Sequence, residues 1–438
     1  MRNLTTVERM TSALLASVMA IGLIAGGGLL TSGAYFTDSE ESTDNALRCW
    51  TSVATTATYA IAYGKDTGSD YAGFLVTMGI ASDGQIADTV IDNLEFDTTR
   101  GQYPNMIPVS GDIYAIAYTG DPDDGFLETL SIAPGGTIST LPETISHTLE
   151  FDDSAGLTPN IIPISGDVYA IAYRGKGDDG FLKTVRIAAD GDIAGVLNSL
   201  EFDTTVAATP NIIHVAGETY AIAYWGSGGD GFLKTVGIAP DGTINGVLCT
   251  LVFDDVMGQY PNIIHVSGDV YAIAYVGPYQ EGYLRTVEIA SDGTIATLPV
   301  EINDTLVFDN GLITTPNIVN ISGNVYAIAY TGPSSHGFLK TVGIAADGNI
   351  AGVLNSLEFD DYQGLYPNIL HVSGDVYAIA YKGTSIYYEG ENVVVEPSGL
   401  LSTVAIATNG TITPVIDIQK FDSGTIDYPN IISVSSHT

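Results

Sequence analysis

The residues most able to do chemistry in this chain come in sets. An Asp follows a Phe seven times, at Asp97, Asp152, Asp203, Asp254, Asp309, Asp360 and Asp422. An Asn follows a Pro seven times, at Asn105, Asn160, Asn211, Asn262, Asn317, Asn368 and Asn430. In front of that Pro stands a Tyr (Tyr103, Tyr260, Tyr366, Tyr428) or a Thr (Thr158, Thr209, Thr315). Side-chain oxygens at repeated positions suit two jobs: holding a hard cation such as Ca²⁺, or bonding backbone amides at turns. The turn role is the plainer one for a residue present in every unit. The tyrosines offer amphipathic rings that stack on sugars or peptides. Two acidic loops, DPDDG with Asp123 and Asp124 and KGDDG with Asp178 and Asp179, are the candidate Ca²⁺ ligands, although their spacing is not that of an EF-hand.

Other sets are weaker. His214, His265 and His371 share one position, but in units that are not all neighbours, which is a poor zinc set. Lys183, Lys234, Arg285 and Lys340 share another position, where Val76, Glu128 and Ser402 stand in other units. Such a mixture reads as a solvated face. One loop, from Lys382 to Ser398, is about 11 residues longer than its counterparts and carries Tyr387 and Tyr388. It is the candidate partner contact where the chain departs most from its own pattern. No catalytic set is evident.

What positions these groups is a repeat. YAIAY begins at Tyr59, Tyr114, Tyr169, Tyr220, Tyr271, Tyr326 and Tyr377, in steps of 51 or 55 residues. A unit reads as four short strands: PNIIHV, then VYAIAYV after an SGD turn, then YLRTVEIA, then a strand ending in TLVFD. Pairs such as Asp83-Gly84 and Asp292-Gly293 join the third strand to the fourth, and predict hairpin turns of the primed type. Four antiparallel strands repeated seven times predict an all-β, seven-bladed propeller over 58–438. The first YAIAY has no Pro-Asn strand before it, and the last Pro-Asn strand has no YAIAY after it. The C-terminal strand is therefore expected to complete the N-terminal blade and close the ring, leaving no free sheet edge. The long loops then fall on one face, with Tyr103, Asn105, Tyr260, Asn262, Tyr366, Asn368, Tyr428 and Asn430 at the channel mouth as candidate ligand contacts.

Residues 1–34 hold a basic start and an uncharged run from Ala13 to Leu30, which reads as a secretory signal peptide or a membrane anchor. Three adjacent glycines, Gly26 to Gly28, weaken it as a spanning helix and favour cleavage. Residues 35–57 read as a polar linker. The formal net charge of −37 argues against nucleic acid and against anionic membrane surfaces as partners. Two cysteines, Cys49 and Cys249, make no disulfide framework and no metal set.

The segment Gly33-Ala34-Tyr35-Phe36-Thr37-Asp38-Ser39-Glu40 resembles the signal-peptide junction of the camelysin and TasA group of secreted prokaryotic matrix proteins. The resemblance covers about 15 residues and implies the export route alone. In general organisation the chain resembles the tandem-repeat propellers of prokaryotic cell-surface proteins. The expectation is thus a secreted or surface-displayed binding or scaffold module for a polysaccharide, peptide or surface protein. A surface-layer or matrix subunit and a propeller glycosidase are the alternatives. Glycosidases need a carboxylate pair, and enzymes break the symmetry of their blades, whereas these repeats look uniform. No cofactor is implied apart from the candidate Ca²⁺.

Overall fold

The computed structural model describes residues 55–435 apart from 69, 300–302 and 390–391. The leader, most of the expected linker and Cys49 lie outside the described residues.

Each repeat forms one antiparallel sheet, and seven sheets form the ring. In the second blade the order from the channel outward is Leu157–Ser165, Val168–Arg174, Gly180–Ile187 and Ile193–Asp203. The third, fifth and sixth blades follow the same plan, while the outer strand is split in two in the first and fourth. The closing blade takes its inner strand, Ile426–Val434, from the C-terminus and its other three, Thr56–Asp66, Tyr71–Ala81 and Asp92–Asp97, from the N-terminal side. The all-β seven-bladed reading and its closure hold.

The YAIAY motif shows why the ring is so regular. Alternate residues of a strand face opposite sides of the sheet. Tyr271, Ile273 and Tyr275 face one neighbour and Ala272 and Ala274 the other, all buried. The large side chains of each blade pack on the alanines of the blade before it, as Tyr271, Ile273 and Tyr275 do on Ala221 and Ala223. Large residues facing small ones fill the gap between sheets at crystal-like density. The same fit joins Tyr59, Ile61 and Tyr63 of the closing blade to Ala378 and Ala380 of the sixth.

On the plain face a threonine of each third strand donates to the glycine carbonyl of the next blade's turn, from Thr77 to Gly136 (2.6 Å) round to Thr403 to Gly84 (2.6 Å). These turns differ from the sequence expectation. Only their glycine has positive φ, +92° at Gly84 and +88° at Gly293, and the Asp before it does not. The amide of Gly84 bonds the carbonyl of Ala81. The turn is therefore type I closed by a left-handed glycine, which one Gly satisfies, and not a type I′ turn, which needs two positive φ values.

Candidate functional site

The sevenfold Asp does two jobs at once. One oxygen caps the loop after its strand: Asp254 accepts from the amides of Val256 and Met257, both at 3.0 Å. The other oxygen reaches the next blade, where the last Tyr of YAIAY donates to it, as Tyr224 does to Asp203 (2.5 Å) and Tyr275 to Asp254 (3.0 Å). The shared cationic position belongs to this seam. Lys183, Lys234 and Lys340 reach Asp152, Asp203 and Asp309 at 2.7 to 2.8 Å, with side chains only 13 to 15% exposed. The expectation of a solvated face is thus corrected: these side chains point between blades, where an Asp from the neighbour meets them. Burial works against ionising Asp203, but hydrogen bonds from Lys234, Tyr224 and Thr205 outweigh it and hold its pKa below the ordinary value. The sequence could not show this, because the partners lie 31 residues apart and in different blades.

The sevenfold Asn also bridges blades. The side-chain oxygen of Asn160 accepts from the amide of Ile212 (2.9 Å) and the amide group of Asn211 (3.3 Å). The chain of bonds runs on through Asn211, Asn262 and Asn317 and closes where Asn430 accepts from Met106 (2.9 Å). The three histidines lie on the plain face: Nε2 of His265 is 2.9 Å from the carbonyl of Gly268 and donates to it.

Above the Asn ring sits the mouth, a cavity of about 220 Å³ lined by all seven Tyr/Thr-Pro-Asn triplets. Every residue before the Pro has a left-handed backbone, with φ from +47° at Thr209 and Thr315 to +54° at Tyr366. Such a conformation costs a non-glycine residue about 1 kcal/mol or more, and recurs where the surroundings impose it. The ring is not uniform. Tyr366, Tyr428 and Tyr103 come from three consecutive blades and pack together: Tyr366 stacks on Tyr428 with centroids 4.0 Å apart, and Tyr103 meets Tyr428 at a tilt with centroids 4.4 Å apart. Burial, and then the phenols of Tyr366, Tyr103 and Tyr260, push the Tyr428 hydroxyl far above the usual phenol range. Tyr260 reaches in from the opposite arc. Thr158, Thr209 and Thr315 fill that arc, and their hydroxyls are buried with no hydrogen-bond partner among the described residues.

Charge gathers beside the tyrosine arc. Asp427 precedes Tyr428, and the other repeats carry Gln102, Leu157, Ala208, Gln259, Thr314 or Leu365 at that position. Lys382 reaches Asp427 across the seam at 2.8 Å and lies 5.9 Å from the centre of the Tyr366 ring. Arg100, where other repeats have Ala155, Val206, Met257, Leu312, Gln363 or Thr425, lies 2.6 Å from Asp123 and close to Tyr103. Burial and then Asp427 raise the pKa of Tyr103, with Arg100 acting against them. Sequence reading missed Asp427, Lys382 and Arg100. The signal that finds them is the repeat itself, aligned column by column.

The other expected contacts fall elsewhere. Asp123 is held by Arg100 and Asp178 by Arg174, while Asp124 and Asp179 stand beside Glu150 and Glu201. Among the described residues no group of three or more His, Cys, Asp or Glu is gathered for a metal. The long loop is not a loop: Val376–Glu389 and Asn392–Ala405 continue the blade's hairpin as a two-stranded ribbon, with Tyr387 opposite Val394 and Tyr388 opposite Val393. Its run of β-branched and aromatic residues explains why it extends the strands.

No protein-family model and no curated protein matches this chain. Solved structures do. A periplasmic gluconolactonase of Pseudomonas aeruginosa matches with a TM-score of 0.60 at 12% identity, over 86% of this chain and 99% of that one. Putative 6-phosphogluconolactonases of Bacteroides fragilis and Bacteroides uniformis match at the same TM-score, at 13% and 12% identity, over 86% of this chain and 98% and 99% of theirs. At such identity the likeness shows the fold. These neighbours are described as lactonases, which overturns the expectation of a binding or scaffold module, and the uniformity behind that expectation fails at the mouth. This chain is similar in fold to lactonase propellers.

Proposed function

We propose that the chain is an enzyme of the lactonase type, opening the cyclic ester of a polar, sugar-like acid at the mouth of its channel. The observation that carries this is the placement of Asp427, Lys382 and Arg100. Asp427 and Arg100 are the one acid and the one cation of their columns in the repeat, and Lys382 pairs with Asp427, all beside the same tyrosine arc, on a fold that the neighbouring lactonases share. Hydrolysis of a lactone needs a base for the attacking water, a positive partner for the charge that grows on the carbonyl oxygen, and a surface that holds the ring. In this reading Asp427 takes the proton as the water oxygen bonds to the carbonyl carbon. Lys382 and Arg100 supply the positive field. The bond from the carbonyl carbon to the ring oxygen then breaks, that oxygen leaves as a hydroxyl with the proton Asp427 had taken, and the carboxylic acid formed ionises to release a proton. The rings of Tyr103, Tyr366 and Tyr428 hold the apolar face of the sugar. The leader and its AYF junction support export, so the substrate is met outside the cytoplasm.

The test is proton release from glucono-1,5-lactone and related sugar lactones in weak buffer, against the spontaneous rate. Saturable acceleration is expected, with kcat falling at least about 100-fold in Asp427→Asn, the usual size of a lost general base. Thr209→Val, in the opposite arc, stays within about twofold by the same reasoning. No acceleration with any five- or six-membered lactone would sink the reading.

A further inference from the structure

We propose that the seam between the closing blade and the first blade holds a divalent, oxygen-seeking cation of the Ca²⁺ kind, in the place that a lysine ammonium fills in three sister seams. In those seams the ammonium sits between a backbone carbonyl and a carboxylate. Lys234 lies 2.7 Å from the Phe202 carbonyl and 2.7 Å from Asp203. Lys340 repeats this at Phe308 and Asp309, both at 2.7 Å. Lys183 does the same at Phe151 and Asp152, at 2.5 and 2.8 Å.

The first blade carries Glu128 at this position. Its register is the same, since Glu128 lies opposite Ile116 as Lys183 lies opposite Ile171. By the repeat, the residues across its seam are Phe96 and Asp97, the equivalents of Phe202 and Asp203. Glu128 is 6% exposed, and among the described residues no hydrogen bond or ion pair holds it. A buried carboxylate is costly unless it is paired or coordinates a metal.

Charge and chemistry choose the occupant. A Lys–Asp seam is neutral, while Glu128 with Asp97 carries two negative charges, so a divalent ion restores the balance. The donors are two carboxylates and, by the repeat, the Phe96 carbonyl. An all-oxygen set with mixed carboxylate and carbonyl donors suits Ca²⁺, whose coordination is flexible and completed by water. Zinc prefers nitrogen and sulfur, which are not offered here. The candidate acidic loops at Asp123, Asp124, Asp178 and Asp179 belong to other places and are the rival location.

The test titrates Ca²⁺ into the chelator-treated full chain by calorimetry and follows thermal unfolding with and without the ion. Wild type is expected to bind one Ca²⁺ per chain at this seam and to unfold several degrees higher with it, as ligand linkage requires. Glu128→Gln should weaken binding at least about tenfold. Glu128→Lys supplies the missing ammonium, so it should unfold higher than metal-free wild type and lose the response to Ca²⁺. Binding that survives undiminished in both variants would place the ion in the acidic loops and overturn the proposal. So would a wild type that shows neither heat nor a thermal shift.

Discussion

Two arcs of one ring differ more than their sequences suggest. From the second to the fifth blade the repeat is strict. The mouth residues are Thr158, Thr209, Tyr260 and Thr315, the seam residues are Lys183, Lys234, Arg285 and Lys340, and each mouth-side loop is a short 3-10 turn. From the sixth blade through the closing blade to the first, the seam cations and, among the described residues, the short 3-10 turns are gone, and the mouth is tyrosine throughout. The mouth residues are Tyr366, Tyr428 and Tyr103, the seam residues are Ser402, Val76 and Glu128, and the loops include the long ribbon. The core does not change, because YAIAY packs alike in both arcs. The comparison separates what holds the ring from what makes one side of it particular. Departures scattered along the sequence become neighbours once the ring closes.

The sharpest way to break this comparison is at the seams. Lys234→Met leaves Asp203 between blades with its cation gone, and the residue is expected to lose about 3 kcal/mol of stability, the lower end for a broken buried pair. In the changed arc Lys65 reaches Asp422 at 2.7 Å from a different strand and is more exposed, at 24% against 13% for Lys234. Lys65→Met is therefore expected to cost about 1 kcal/mol, near the upper range for an exposed pair. Urea unfolding of both variants checks the order. Equal losses would mean that the strict arc is no more dependent on its ion pairs than the other.

The seams also respond to pH with opposite signs. Asp152, Asp203 and Asp309 titrate below their ordinary value of 3.8, so their contribution is present above that pH and fades only in stronger acid. Glu128 titrates near 7, above its ordinary 4.5, so its contribution is complete below 4.5 and is lost as pH rises through about 7. With chelator present, wild type should therefore lose about 2.5 kcal/mol between pH 5 and 8 that Glu128→Gln does not lose, at ~1.4 kcal/mol per pKa unit. Urea unfolding at the two pH values measures the difference. Parallel slopes for the two proteins would show that Glu128 does not titrate in the seam.

Much of the fold was legible, for local reasons. The period-two alternation of YAIAY, the turn residues and the offset between the first YAIAY and the last Pro-Asn strand are all short-range patterns. They specify strands, hairpins and closure. The site was less legible because its chemistry is made between units. Asp203 meets Lys234 across a seam, and Asp427 meets Lys382 across another. Asn262 looked like a ligand contact, and its oxygen is taken up by the next blade. Repetition marks a residue as needed by every unit, which is what scaffolding requires. The residues that can tell one face of a molecule from another are those the repeat fails to predict, and Asp427, Arg100 and Glu128 were each visible only as exceptions in a column.

The smallest effect tests the mouth itself. Thr209 and Tyr428 hold nearly the same backbone, with φ of +47° and +48°. Glycine adopts that region freely, so either residue replaced by Gly relieves similar backbone strain. What differs is the side chain. Thr209 has a buried hydroxyl without a partner among the described residues, and losing it removes a desolvation cost. Thr209→Gly should therefore stabilise by about 1 kcal/mol after the added freedom of the unfolded chain is counted. Tyr428 packs on Tyr366 and Tyr103, and losing those contacts exceeds the relief. Tyr428→Gly should destabilise by about 1 kcal/mol on the scale of aromatic pairs. Opposite signs in urea unfolding would show that the left-handed ring is strained alike all round and that only the tyrosine arc compensates for it with packing. If both variants shift the same way, the two arcs of the mouth are energetically one surface, and the tyrosines are held there for what they bind.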